Sequence, residues 1–162
     1  MKQLNITQSI GEFEVRRLIN NPELLNKYSM QELDEIYKTY IGDYVHCYGD
    51  ILSAKINLYD NSSEVNSFIF KGSPMWLDKA TRVGLMHLVN CSSDKVQVVL
   101  ENEIITFSKD DAKDFLTQLE LYAGQCYLQT QKHLLAVKQL NTAEDFINYD
   151  YTTGYPEKII LE

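Results

Sequence analysis

Apolar residues recur along this chain with two main periods, and the longest runs are helical. Leu33, Tyr37, Tyr40, Tyr44, Cys47, Ile51, Ala54 and Leu58 fall at alternating spacings of four and three. That is the seven-residue repeat of a helix burying one stripe. Ser29-Met30-Gln31-Glu32 opens the run as a capping box, a hydroxyl at the N-cap and a carboxylate three residues on. One helix of about 29 residues, roughly 40 Å long, is predicted. Ile36, Ile41, Val45, Tyr48 and Leu52 widen the stripe, so the helix should touch more than one neighbour. Gly42 and Gly49 weaken its intrinsic propensity by about 1 kcal/mol each, so packing must hold it together. A second stripe, Ala112, Leu116, Leu119, Ala123, Cys126, Thr130, His133, Val137 and Leu140, repeats the spacing after the capping-type start Ser108-Lys109-Asp110-Asp111.

Between and around these stripes the pattern shortens. Residues 1–10 are polar and are expected to lack structure of their own or to lie on a partner. A short helix is predicted over Gly11–Asn20, with Phe13, Val15, Leu18 and Ile19 as its apolar set, ended by Asn21-Pro22 and followed by one further turn through Leu25. Tyr59–Ser63 is a turn-rich break, and Val65–Lys71 reads as a strand. Ser73 and Pro74 look like the N-cap and first residue of a helix over Met75–Asn90, with Trp76, Ala80, Val83 and Leu88 on one side. Val96–Leu100 and Ile104–Phe107 read as two strands joined by Glu101-Asn102-Glu103. Thr142-Ala143-Glu144-Asp145 opens a last short helix, and an aromatic tail follows. The fold class expected is α+β: a small antiparallel three-stranded sheet packed with helices, plus a long N-terminal helix able to form an oligomeric bundle. The expected division is a helical extension over 1–58, for oligomerisation or docking, and an α+β domain over 59–162.

Composition narrows the function classes. With 162 residues, 44% of them hydrophobic, the chain suits one ordinary domain with a real core, possibly extended at one end. A net charge of −8 argues against a grip on nucleic-acid phosphates or an anionic membrane. There is no run of about 18 apolar residues and no signal-type apolar core near the start, so a reduced, cytosolic product is expected. Cys47, Cys91 and Cys126 lack CxxC spacing and read as free thiols.

Candidate chemistry is sparse. His46, His87 and His133 form no HxxxH or HExxH pair. Asp110, Asp111 and Asp114 sit at a helix start, where the dipole favours carboxylates, and Glu101 and Glu103 flank a hairpin tip. Cys126 and His133 are two helical turns apart, too far for a thiol activated by its neighbour. Arg82 is placed to pair with Asp78 at i, i+4, and Trp76 is expected in the core. No P-loop, GxGxxG or GxSxG occurs. No catalytic, cofactor or metal residues are assigned, and no enzyme is expected.

The chain holds eleven tyrosines. Tyr37, Tyr40, Tyr44 and Tyr48, with Ile51, crowd the first long stripe, and Tyr149, Tyr151 and Tyr155 crowd the tail Tyr149-Asp150-Tyr151-Thr152-Thr153-Gly154-Tyr155-Pro156. Tyrosine buries a ring while its hydroxyl stays bonded, so both an interface and a tyrosine-rich core fit these eight residues. The tail reads as a structural clasp. Gly154 and Pro156 set its turn, Asp150 caps it, and the rings dock on the domain or on the next subunit.

The stretch Asn57–Phe68, then Gly72, then Trp76-Leu77-Asp78-Lys79-Ala80-Thr81-Arg82-Val83-Gly84-Leu85-Met86 resembles an uncharacterised domain family of tailed-phage and prophage proteins. So do Leu119-Glu120-Leu121-Tyr122-Ala123 with Cys126-Tyr127, Thr130 and His133, and the tail itself. The likeness covers about residues 56–162. It implies a virion protein, tail- or fibre-associated, made in the host bacterial cytoplasm and working as an adaptor through contacts with other virion proteins. A homo-oligomer, with a trimer favoured, goes with that reading, and a non-virion assembly chaperone is the alternative. The likeness brings no catalytic residues with it.

Overall fold

The computed structural model describes residues 6–41, 45–92, 94–100 and 103–162; the side chains of residues 6–12, 37–41, 45 and 46 lie outside that description. The protein is α+β, with eight helices and five short strands among the described residues. Its chain divides into two compact units, residues 1–59 with 130–153, and residues 60–129 with 154–162. The expected boundary near residue 58 coincides with one cut. The other cuts place 130–153, with most of the aromatic tail, alongside the N-terminal helices.

Unit 1 is helical. It holds α1 (Ile6–Ile19), α2 (Pro22–Lys27), α3 (Met30–Ile41), α4 (Val45–Asp60), the end of α7 (Lys109–Val137) and α8 (Ala143–Asn148). The first helix starts at Ile6, five residues before the expected Gly11. Asn21 caps α2 by accepting from the Leu24 amide at 3.1 Å, with Pro22 in its first turn. The predicted capping box at α3 is present: Ser29 Oγ accepts from the Glu32 amide at 3.1 Å, and the Glu32 carboxylate accepts from the Ser29 amide at 2.7 Å. The 29-residue stripe is carried by α3 and α4, and the junction at residues 42–44 lies outside the described residues. Of that stripe, Leu33, Cys47 and Ile51 are buried. They pack with Val15, Leu18, Leu25, Leu52, Ile56, Val137 and Phe146 into one core.

One lysine is buried in this helical core. Lys55 sends its ammonium to the Leu25 and Tyr28 carbonyls, at 2.5 and 2.6 Å, at the C-terminal end of α2. It satisfies carbonyls the helix leaves without partners. Burial pushes its pKa down, and the nearby Glu32 carboxylate opposes that shift.

Unit 2 carries the strands. A one-turn helix α5 (Ser63–Asn66), capped by Ser62, replaces the start of the predicted strand, leaving β1 (Phe68–Phe70). Lys71 and Gly72 both take positive φ, at 48° and 82°. That is the two-residue turn that suits a hairpin, and it pairs β1 with β2 (Ser73–Met75), Phe70 opposite Ser73. Ser73 and Pro74 are therefore strand residues and not a helix start. Proline is tolerated there because β2 is an edge strand. The helix α6 (Lys79–Cys91) begins later, with Asp78 as its N-cap. On the other side β1 pairs in parallel with β5 (Ile160–Leu161).

The predicted hairpin forms as β3 (Lys95–Leu100) and β4 (Glu103–Ser108). Leu100 faces Glu103, which shortens the connection to Glu101 and Asn102, both outside the described residues. The hairpin stands as its own two-stranded sheet beside the three-stranded order β2-β1-β5. The expected single antiparallel sheet is thus corrected: its third strand is drawn from the last residues of the chain, and one pairing is parallel. Phe68, Phe70, Leu77, Val89, alternate residues of β3, Leu116, Leu119 and Leu161 close the core of unit 2.

Candidate functional site

Residues 149–153 of the C-terminal clasp belong to unit 1, where they meet the end of α7. His133, 5% exposed, closes it from two sides. Its Nε2 lies 2.9 Å from the Thr153 carbonyl, which only accepts, so Nε2 carries the proton and donates. Its Nδ1 then accepts from the Tyr149 hydroxyl at 2.7 Å. Asp150 holds the next turn, accepting from the Thr152 amide at 2.9 Å and the Thr152 hydroxyl at 2.6 Å. Those bonds, the hydroxyl first, hold the Asp150 carboxyl below the usual range. Tyr151 meets Tyr59 edge to face, ring centroids 5.7 Å apart, and burial pushes the hydroxyl pKa of both Tyr149 and Tyr151 up. Gly154 takes a positive φ of 77°, as the tail's turn requires. Tyr155 is half-buried in unit 2.

The expected interface residues are therefore spread over different environments. Tyr48 and Ile51 lie inside unit 1, 3% and 0% exposed, where the Tyr48 hydroxyl donates to Asp34 at 2.5 Å and its ring meets Phe146. Neither offers surface to a second chain in this arrangement. Tyr149 and Tyr151 dock on their own chain. The side chains of Tyr37 and Tyr40, and Tyr44 as a whole, lie outside the description.

Unit 2 carries an open cleft. The cleft, of about 330 Å³, is walled by Trp76 and Tyr127. Both rings are about half exposed, Trp76 at 49% and Tyr127 at 58%. Sequence reasoning placed Trp76 in the core and gave Tyr127 no role. Trp76 lies in the short irregular stretch before the N-cap Asp78, which lifts it out of the helix phase. The expected apolar face of α6 does exist, but it points outward: Val83 and Leu88 are exposed, whereas Leu77, Arg82 and Val89 are buried.

Asp78 and Arg82, which line this cleft, are already engaged. Asp78 accepts from the Thr81 hydroxyl and amide, which hold its carboxyl below the usual range. Arg82 therefore does not pair with Asp78 as expected. It reaches α7, its Nε donating to Glu120 at 2.7 Å and an Nη to the Leu77 carbonyl at 2.6 Å. Tyr122, behind the cleft, donates to the Val65 carbonyl at 2.7 Å, and burial pushes its pKa well up. Burial likewise raises the Cys126 thiol, so it stays protonated at neutral pH. With these partners in place, the cleft offers two aromatic faces and a hydrogen-bonding rim, an arrangement suited to contact. Among the described residues no group of three His, Cys, Asp or Glu side chains is placed to hold a metal, and no helix is long and apolar enough to cross a membrane. No family model matches the chain, and neither a curated protein nor a solved structure matches it.

Proposed function

We propose that this chain is a phage structural protein, a tail- or fibre-associated adaptor that works through protein–protein contacts. The observation that carries the reading is the placement of its exposed apolar side chains. Trp76, Val83, Leu121 and Tyr127 are 49–65% exposed, and all four lie in the two stretches, Trp76–Met86 and Leu119–His133, through which the sequence resembles the phage family. Large apolar residues gathered on a surface mark contact sites, and Trp and Tyr dominate the energies of such contacts. The partners proposed are other virion proteins, and a trimer is the proposed self-assembly. Sedimentation of the full chain tests the trimer. Deleting residues 1–58 would not, because it strips residues 130–153 of their core.

Mass spectrometry of purified particles tests the main reading. The protein should be present at a fixed ratio to the tail proteins. Abundance in infected cells with absence from particles would replace the adaptor with an assembly chaperone, a role that the acidic charge also suits.

A further inference from the structure

We infer that unit 2 holds a slot for one added β-strand, and that its occupant is an extended, basic segment of a partner chain. This goes beyond the virion reading and does not depend on it, because it rests on backbone geometry.

The Lys109 amide donates to the Asp94 carbonyl at 2.9 Å, which makes these two a hydrogen-bonded pair at the end of the hairpin. Antiparallel pairs alternate between bonded and non-bonded. Phe107, Ile105 and Glu103 therefore turn their N–H and C=O toward β3, and Thr106 and Ile104 turn theirs away. On the second sheet, the Ile69 and Lys71 amides donate to the Ile159 and Leu161 carbonyls, at 2.9 and 3.0 Å. Ile160 lies between those two residues, so its N–H and C=O point away from β1. Among the described residues, neither β4 nor β5 has a strand on its outer side.

Thr106 and Ile160 line the same cavity, of about 390 Å³. Each turns one donor and one acceptor to an open edge. Behind them three rings form an apolar wall: Phe107 stacks on Phe115 at 5.2 Å, and Phe70 meets Phe115 at 5.4 Å. Proteins usually guard open edges with proline or lysine. Ile104–Phe107 and Ile159–Leu161 carry neither, and Ile160 is 71% exposed. A strand laid between these edges would bond to both through its main chain, as in strand addition to a sheet edge.

Charge selects the occupant. Asp111, Asp114 and Glu162 line the cavity, against the single cation Lys71, whose ammonium already sits 5.2 Å over the Phe70 ring. A strand alternates its side chains between two faces. One face of the occupant should be apolar, against the rings, and the other should carry lysine or arginine toward the carboxylates.

The test titrates the 15N-labelled full chain with a nine-residue peptide alternating valine and lysine. Controls are the same peptide N-methylated at alternate residues and a valine–glutamate peptide. The amides of Thr106 and Ile160 should shift on binding, and both controls should bind at least tenfold more weakly. Thr106→Pro removes an outward donor without touching the β3 ladder and should weaken binding by a similar factor. If that variant misfolds, the N-methylated peptide on the unaltered chain asks the same question. The inference is overturned if the valine–lysine peptide fails to bind, or if N-methylation leaves its affinity unchanged. Shifts confined to the Trp76 cleft would also overturn it. So would a self-associated chain in which these two amides are already protected, since a second copy would then fill the edges.

Discussion

The tyrosines of the helical unit 1 and the Trp76 and Tyr127 rings of unit 2 stand in different environments. In unit 1 three tyrosines serve the unit itself: Tyr48 is buried against Phe146, Tyr149 bonds to His133, and Tyr151 packs on Tyr59, while Phe13 is 65% exposed. In unit 2 the phenylalanines fill the core, while Trp76, Val83, Leu121 and Tyr127 are exposed. Tyr48, although part of a tyrosine-rich stripe, is covered within its own unit. A stripe reports that something covers it, and here residues of the same unit do so over α4. The exposed rings lie off such stripes: Trp76 precedes the first turn of α6, and Tyr127 is off the buried stripe of α7.

The comparison is broken most forcefully in the two cores. Phe70→Ala in unit 2, with Phe107 and Phe115 around the lost ring, should cost about 4 kcal/mol, and Ile51→Ala in unit 1 about 3 kcal/mol. Denaturant unfolding checks both. If Ile51 served a partner and not the core of unit 1, its truncation would change oligomeric state and leave monomer stability nearly intact.

A smaller effect is expected at the clasp. His133→Ala removes two hydrogen bonds and leaves the Tyr149 hydroxyl and Thr153 carbonyl without them, for a loss of about 2 kcal/mol. Limited proteolysis should then cut within residues 149–156 faster than in the unaltered chain. Unchanged cleavage would mean that the tail is held by its rings alone.

The smallest effect concerns acid. Hydrogen bonds lower the carboxyl pKa of Glu32 through Ser29, of Asp145 through Thr142 and of Asp150 through Thr152, all in unit 1, and of Asp78 through Thr81 in unit 2. A carboxyl with a lowered folded-state pKa stabilises fully above its unfolded value. That contribution is lost as pH falls through the folded value. Stability from these groups should be level at neutral pH and should fall below the model-compound values of 3.8 for aspartate and 4.5 for glutamate. Because three of the four lie in unit 1, amide exchange there should accelerate first on acidification. Equal acceleration in both units would contradict this.

Much of the helical architecture was legible in the sequence, and the reasons are local. Most of the α7 stripe is buried, Ala112, Leu116, Leu119, Cys126, Thr130, His133 and Val137, while Ala123 is half-buried and Leu140 falls past the helix end at Val137. The boxes at Ser29 and Thr142 start helices as their spacing predicts. The sheet was less legible, because its pairings join distant residues through very short strands. Ile160-Leu161 has no periodicity to read, yet it completes the sheet in parallel with β1. Ser73-Pro74 carries the same residues as a helix start, and only the turn at Lys71-Gly72 decides for a strand. The phase of α6 was misjudged for a related reason. Counting from Trp76 gives an apolar face, but Asp78 sets the start and Arg82 takes the inner side through Glu120. A buried arginine leaves an apolar face free for the surface, and hydrophobicity alone does not reveal that exchange.

The account's central claim is that partners are met through the exposed rings of unit 2. A Trp or Tyr at the centre of an interface is worth about 2 kcal/mol or more, roughly thirtyfold in affinity, whereas truncating half-exposed surface rings changes folding stability far less. The direct measurement is the amount of Trp76→Ser/Tyr127→Ser double variant incorporated into assembled particles, alongside its thermal unfolding. The account predicts incorporation reduced at least tenfold with the unfolding midpoint nearly unchanged. Normal incorporation of that folded variant would contradict it.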